Sequence, residues 1–437
     1  MAVGLSLVGH LRPEHRVTLT EARDWLARAA VWFEAVGDAV LDTRLVRDAE
    51  DKPLLQVLLH PVADPVEIRI GGSGKVKATT RTSPAGPGYH AHVCALFKQI
   101  AADFEFDWDE PDANHDPARY FVSEDRGRLE RHFLHWLATT CTTALRDGST
   151  AAGIYAIGMP RQPKFRHAGP VLTPLGPKPV EWLREVSADP DRGIEFFPWW
   201  EPDLNATFFA RRALTDLWLD FPWRAPLTEI EGELVDQIAS DLANAHSLDP
   251  QAELPWTEWA AVVAAIENDT LKFTVEPVSD ELKAEIAQKA KGQSAAEIGY
   301  RRAPISVPLT GGWHVEIPGS FAISRNEDGT TWTAWNDTRT VWFRDLAMGA
   351  DLSARDAVAA GRNNLPSGEA LPRLQNGHVV GDAVFGPYTE DGRAGWRVCG
   401  VVAAEGHLAT CNVYISNEAD REWAIQTWES LGHESHG

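Results

Sequence analysis

Four cysteines and three methionines in 437 residues are a small sulfur inventory, and the scarcity is informative. Cys94, Cys141, Cys399 and Cys411 form neither a Cys-x-x-Cys pair nor a ligand cluster, which argues against thiolate zinc sites and a disulfide-stapled scaffold. They read as small buried thiols in a reducing compartment. Long apolar runs are missing as well. No stretch of about 18 uncharged apolar residues occurs, so no membrane span is expected. The apolar segment 2–9 lacks a preceding basic region and meets His10, Arg12 and Pro13 at once, unlike an export signal. The cytoplasm is the expected compartment. Positive charge is also short: 41 Lys and Arg face 63 Asp and Glu, a formal charge of −22. A polyanion repels phosphate, so neither nucleic acid nor an anionic membrane is expected as a partner. Finally, the chain has no Gly-x-Ser-x-Gly elbow, His-Glu-x-x-His helix, Walker loop or dinucleotide fingerprint.

What is present is a 44% hydrophobic composition, enough for a sizeable core in a chain longer than one core usually grows. Three regions are expected within an α+β fold. Residues 1–160 read as an α+β lobe with an antiparallel sheet. Thr18 and Glu21 have capping-box spacing ahead of apolar residues at three- and four-residue intervals, which predicts a helix over 19–41. Strands follow at 54–59, 66–70 and 76–82, the last two flanking Gly71-Gly72-Ser73-Gly74. Further helices are expected over 91–104 and 123–146, with the run 154–157 closing the sheet. Six prolines between 160 and 179 then prevent regular structure.

Residues 161–303 read as mainly helical, with helices over 180–186, 206–219, 229–246, 256–266 and 280–290. One strand-like run, 271–275, suggests that this block packs on the first sheet. From residue 304 onward no Lys remains, and strand signals dominate at 313–317, 321–324, 331–335, 340–344, 383–385, 396–403 and 408–415. Helices over 354–361 and 418–431 make this third region, 304–437, an antiparallel sheet covered by helices. Cys399 and Cys411 flank a hairpin whose loop length decides their relation: three loop residues would set them opposite, two would put them on different faces.

Within this region Gly312-Trp313-His314-Val315-Glu316-Ile317-Pro318, followed by Phe321, Trp332 and Trp335, resembles the opening of PsbP-like α/β/α sandwich domains. The resemblance covers less than a third of the chain. It implies a fold that serves in binding and assembly, and it supplies no catalytic residues.

Three groups of residues could carry chemistry. His90 and His92 alternate beside Gly86-Pro87-Gly88, and His132 and His135 stand three apart on a helix. Together they could complete a metal site. The glycines could present backbone N–H groups to an anion, but the proline removes one donor and neither phosphate-binding spacing is present, so a plain helix start is the favoured reading. Between those helices, residues 103–116 hold seven carboxylates and no Lys or Arg. Asp107, Asp109, Glu110, Asp112 and Asp116 are the candidate contacts to a basic protein. Asp107 and Asp109 open like a calcium loop, but Pro111 stands at the third ligand position. The aromatic run 196–200, with Trp199 and Trp200, suits an interface as well as a core.

The function these features favour is a non-catalytic, acidic, cytoplasmic binding protein of bacterial type, an immunity or adaptor protein engaging a basic partner. A metal-dependent hydrolase built on the four histidines is the alternative, and a structural component of a larger assembly is the third reading. No cofactor is indicated, and nothing sets the oligomeric state.

Overall fold

The computed structural model describes residues 3–11, 16–36, 39–146, 155–160, 164–166, 171–268, 278–293, 297–326, 329–347, 352–390, 392–404 and 406–434. The fold is α+β, with antiparallel sheets at both ends of the chain and helices between them.

The first sheet runs β2-β3-β4-β5-β1-β6. Its strands are β1 (Gly4–His10), β2 (Asp42–Arg47), β3 (Pro53–Leu58), β4 (Val66–Ile70), β5 (Lys75–Arg81) and β6 (Asp107–Trp108). Helix α1 (Leu19–Val36) begins at the expected capping box. The Thr18 N–H donates to Glu21 Oε2 at 2.8 Å, and the Glu21 N–H donates back to Thr18 Oγ1 at 3.3 Å. The helix ends before the expected 41, because the Leu41 N–H donates to the Leu58 carbonyl at 2.8 Å and leads into β2. Strands β1 and β2 add to those expected. In β1, Leu5 and Leu7 alternate into the core, the period of a half-buried strand, and the strand is paired on both sides, by β5 and β6.

Helix α2 (Pro87–Asp103) is followed by the short α3 (Tyr120–Ser123) and the long α4 (Arg126–Arg146). The segment expected to close the first sheet does not do so. Its described part, β7 (Tyr155–Ala156), pairs in parallel with β9 (Val171–Leu172). Ile157 is then buried in a second core with Leu137, Leu183 and Phe196. The proline-rich connector thus folds back on itself instead of reaching the sheet. A further piece of it, β8 (Lys164–Phe165), pairs with β10 (Pro304–Pro308), so the connector lends a strand to the carboxyl-terminal part.

Helices α5 (Val180–Ala188), α6 (Ala206–Leu219), α7 (Glu229–Leu248), α8 (Trp256–Glu267) and α9 (Asp280–Ala290) form the middle block. Phe208, Leu217, Val235 and Trp259 of this block belong to the same buried cluster as Leu7, Val57 and Phe97 of the first lobe. At the start of α7, the Glu231 N–H donates to Thr228 Oγ1 at 3.2 Å. The Glu231 carboxylate, however, takes a bidentate pair of bonds from Arg224 and one from the Leu227 N–H, so it serves the preceding turn. The run 271–275 lies outside the described residues.

The carboxyl-terminal region adds β11 (Trp313–Pro318), β12 (Ala322–Arg325), β13 (Thr331–Trp335), β14 (Arg339–Ala347), helix α10 (Ala354–Arg362), β15 (Glu369–Ala370), β16 (Leu374–Asn376), β17 (Val379–Glu390), β18 (Arg393–Ala404), β19 (His407–Ile415), helix α11 (Arg421–Glu429) and β20 (Gly432–His433). One sheet runs β12-β13-β14-β19-β18-β17-β15, with β16 also on β17, and a smaller one runs β20-β11-β10-β8. Helices cover both faces of the larger sheet. Trp428 of α11 lies over Gly400, where a Cβ would come within 2.4 Å of the indole. The adjacent Val401 points the other way and packs with Ala357 and Val358 of α10. Ala404 pairs with His407, so the β18–β19 connection has two residues. Cys399 therefore faces Asn412 while Cys411 faces Gly400, and the two thiols lie on different faces.

Candidate functional site

The glycine-rich start of α2 and the aromatic run form one structure. The Trp199 N–H donates to the Ala85 carbonyl at 2.9 Å, and the Gly88 N–H donates to the Trp199 carbonyl at 3.0 Å. A Cβ on Gly86 would lie 2.5 Å from the Trp199 oxygen, and one on Gly88 would lie 2.4 Å from the Glu201 oxygen. The glycines are thus required by backbone contact, and the Gly88 N–H is committed to protein rather than to an anion. Trp199 is buried against His92, Tyr89 and Phe208, with ring centroids 5.0, 5.6 and 4.4 Å away. It is core, and no partner can reach it. Trp200 is half-buried, and its carbonyl accepts from Arg126.

The four histidines do not converge on one point, although His132 lies near His90. His90 and His92, two residues apart on α2, face different neighbours. His92 lies against Trp199, and burial pushes it down to about 4. His90 is fully buried on the side of Phe133. Its Nδ1 lies 3.0 Å from Thr82 Oγ1, and its Nε2 lies 3.7 Å from Asp116 Oδ1. His132 is half-buried on α4, and His135 is exposed. Among the described residues, no three His, Cys, Asp or Glu side chains are placed to hold an ion. The expectation of a four-histidine metal site is corrected accordingly: the i, i+2 spacing on a helix turns the first pair apart.

Thr82, His90 and Asp116 follow one another as hydroxyl, imidazole and carboxylate, but only the Thr82–His90 contact is a hydrogen bond; at 3.7 Å the imidazole and the carboxylate do not bond, so the three do not make an acid–base relay. All three residues are buried, so no substrate reaches the hydroxyl. Desolvation drives the two ionisable members toward their neutral forms. It pushes His90 down to about 3, with nearby His132 adding to the effect. It raises Asp116, although the Phe121 N–H donates to that carboxylate at 2.8 Å. Asp116 is therefore a core residue, which removes it from any contact surface.

The other carboxylates of the acidic stretch behave differently. Asp107, Asp109, Glu110 and Asp112 are exposed around β6, an edge strand of the first sheet. Each of the last three has local work. Asp109 lies 3.4 Å from His10, and Glu110 pairs with Arg119 at 2.6 Å. Asp112 accepts the N–H groups of Asn114 and His115, which holds its pKa below the ordinary carboxylate range. Water screens exposed pairs of this kind, so a partner can exchange them at little cost.

Two further features had no signal in the spacing of the sequence. One is a cleft of about 570 Å³ where residues 301–304 meet β11 and α11. The Arg302 guanidinium lies 3.3 Å from the Trp223 ring centroid on its wall, and Trp223 is held at φ 58°. The other is the convergence of His378, His407 and His433 at one end of the larger sheet.

Comparison with known proteins narrows the identity little. No protein-family model matches the chain, and no curated protein matches it. One similar solved structure is a protein of Bacteroides thetaiotaomicron VPI-5482, at 11% identity and a TM-score of 0.23. That match covers 29% of this chain and 46% of the other. Another is cyanobacterial PsbP (CyanoP) from Synechocystis sp. PCC 6803, at 9% identity and a TM-score of 0.21, covering 32% of this chain and 98% of that one. The likeness to PsbP is weak and leaves the amino-terminal part unmatched.

Proposed function

We propose that this chain works in the cytoplasm by binding rather than by catalysis, as an adaptor or immunity-type protein whose acidic edge receives a basic protein. The observation that carries this reading is the exposure of Asp107, Asp109, Glu110 and Asp112 around a sheet edge. Seven carboxylates stand in residues 103–116 without a Lys or Arg, and six of them remain at the surface. Such a field speeds encounter with a cationic surface and disfavours acidic competitors. The sealing of His90 supports the same reading, since it leaves the hydroxyl–imidazole series without access.

The test is affinity capture at low ionic strength with the natural chain and a variant carrying Asp107→Asn, Asp109→Asn and Glu110→Gln. Asp112 is left in place because it holds two backbone N–H groups. A specific basic protein retained by the natural chain and released by the variant is the expected result. Equal retention by both chains would end the docking proposal.

A further inference from the structure

The cleft where residues 301–304 meet β11 and α11 is walled by segments far apart in sequence, among them the turn after α6 with Trp223 and helix α11 with Trp423. Three arginines stand around it, and two of them are spent on the protein. Arg301 donates to the carbonyls of Gly319, Phe321 and Asp220 at 2.6, 2.7 and 2.8 Å. Arg224 donates to the Ser320 carbonyl and pairs with Glu231. These bonds clamp the turn 319–321, where a Cβ on Gly319 would collide with the Arg301 carbonyl, so the floor of the cleft is preformed. Arg302 differs. Its Nε donates to the Ile298 carbonyl at 2.7 Å, and its guanidinium lies 3.3 Å from the Trp223 ring centroid. Glu258 and Glu297 act on it from a distance, and among the described residues no carboxylate stands within ion-pair reach of it. Its two Nη groups therefore keep their hydrogen-bonding capacity. Trp223 holds φ at 58°, which a bulky residue rarely adopts, and Gly299 leaves room for the indole edge. The strained turn thus sets an aromatic ring against the one arginine whose Nη groups are unspent.

We propose that this cleft binds a small carboxylate with a flat apolar body, its two oxygens on the Nη groups of Arg302 and its body against Trp423 and Pro318. The volume of about 570 Å³ is that of a small-molecule site. A guanidinium fork matches a carboxylate bidentately, and stacking on an aromatic ring holds that fork in place before the ligand arrives. Because Nε is committed to Ile298, the carboxylate meets the fork end-on. One unspent fork balances one negative charge. In a chain of net charge −22, a dianion such as a phosphate monoester would find too little compensation here. Glu316 is the one carboxylate among the described lining residues, and it is paired with Arg166. The site is independent of the acidic edge, which lies on the first sheet.

The experiment titrates the full chain with sodium 2-naphthoate, followed by saturation-transfer NMR, with neutral 2-naphthamide as the matched probe. Saturable binding of the carboxylate is expected, with the amide at least about tenfold weaker, the scale set by hydrogen bonds to a charged group. Arg302→Gln should weaken 2-naphthoate by at least about tenfold as well. Arg302→Lys keeps the charge without the fork and should also weaken it. Arg302 is exposed, so both variants keep the fold, which circular dichroism checks. Arg192→Gln, at an exposed arginine elsewhere, should leave binding unchanged. The assignment is overturned by absence of saturable 2-naphthoate binding, by equal binding of the amide, by binding that survives Arg302→Gln, or by binding that is lost with Arg192→Gln.

Discussion

Burial of neutral histidines gives the fold a steep and directional dependence on acid. His90 is fully buried and titrates at about 3 in the folded chain, against 6.5 for an exposed histidine. The unfolded chain therefore takes the proton first. Stability is unaffected above pH 7 and falls as pH drops from 6.5 toward 3. Each tenfold difference in proton affinity is worth about 1.4 kcal/mol, so at pH 5 His90 alone removes about 2 kcal/mol. His60, also fully buried and pushed to about 3 by desolvation with Arg212 adding to it, removes a similar amount. Asp116, Asp216 and Asp241 act in the opposite sense. Desolvation raises them, so they gain protons in the fold before they do in the unfolded chain and restore stability as pH falls. The total curve mixes both effects, and a single substitution separates them. His90→Gln can keep a hydrogen bond to Thr82 and cannot titrate. Urea unfolding at pH 7.5 and pH 5 should show the advantage of the natural chain over the variant shrinking by about 2 kcal/mol. Parallel stability curves for the two proteins across that range would refute the reasoning.

Two other outcomes follow from close packing and buried charge. Gly88→Ala forces a Cβ to within 2.4 Å of the Glu201 carbonyl oxygen, and should cost about 1–3 kcal/mol in urea unfolding by overpacking. Arg212 and Asp241 make a bidentate pair at 2.7 and 2.6 Å with almost no exposure. Arg212→Leu should therefore cost about 3–5 kcal/mol, and adding Asp241→Leu should recover part of that loss, because Asp241 then no longer stands as a buried carboxylate without its bidentate cation.

Much of the fold was legible because apolar spacing matched the final packing. Helices α6 and α9 occupy the expected 206–219 and 280–290, and β11, β13, β14, β18 and β19 fall where alternation placed them. The failures have physical causes. Strand β1 reads as a short apolar run, and only its pairing with β5 and β6 makes it a strand. Val40 and Leu41 continue the helical spacing of α1, but Leu41 donates to Leu58 instead. In the candidate sites, residue type was visible and burial was not. Asp116 reads as a surface contact in sequence yet is buried against His90 and Phe121, and Trp199, which could have been interface or core, is enclosed by Tyr89 and His92 from far back in the chain. The pairing of His378 with His433 spans 55 residues and leaves no local pattern.

The most direct test of the docking account is the association rate of the captured basic partner as ionic strength rises. If the exposed carboxylates around β6 steer the encounter, the rate should fall steeply between about 10 and 150 mM salt, where the screening length shrinks from about 30 to 8 Å. The chain carrying Asp107→Asn, Asp109→Asn and Glu110→Gln should start slower and depend less on salt. A rate insensitive to salt, or an identical salt dependence for both chains, would contradict the account.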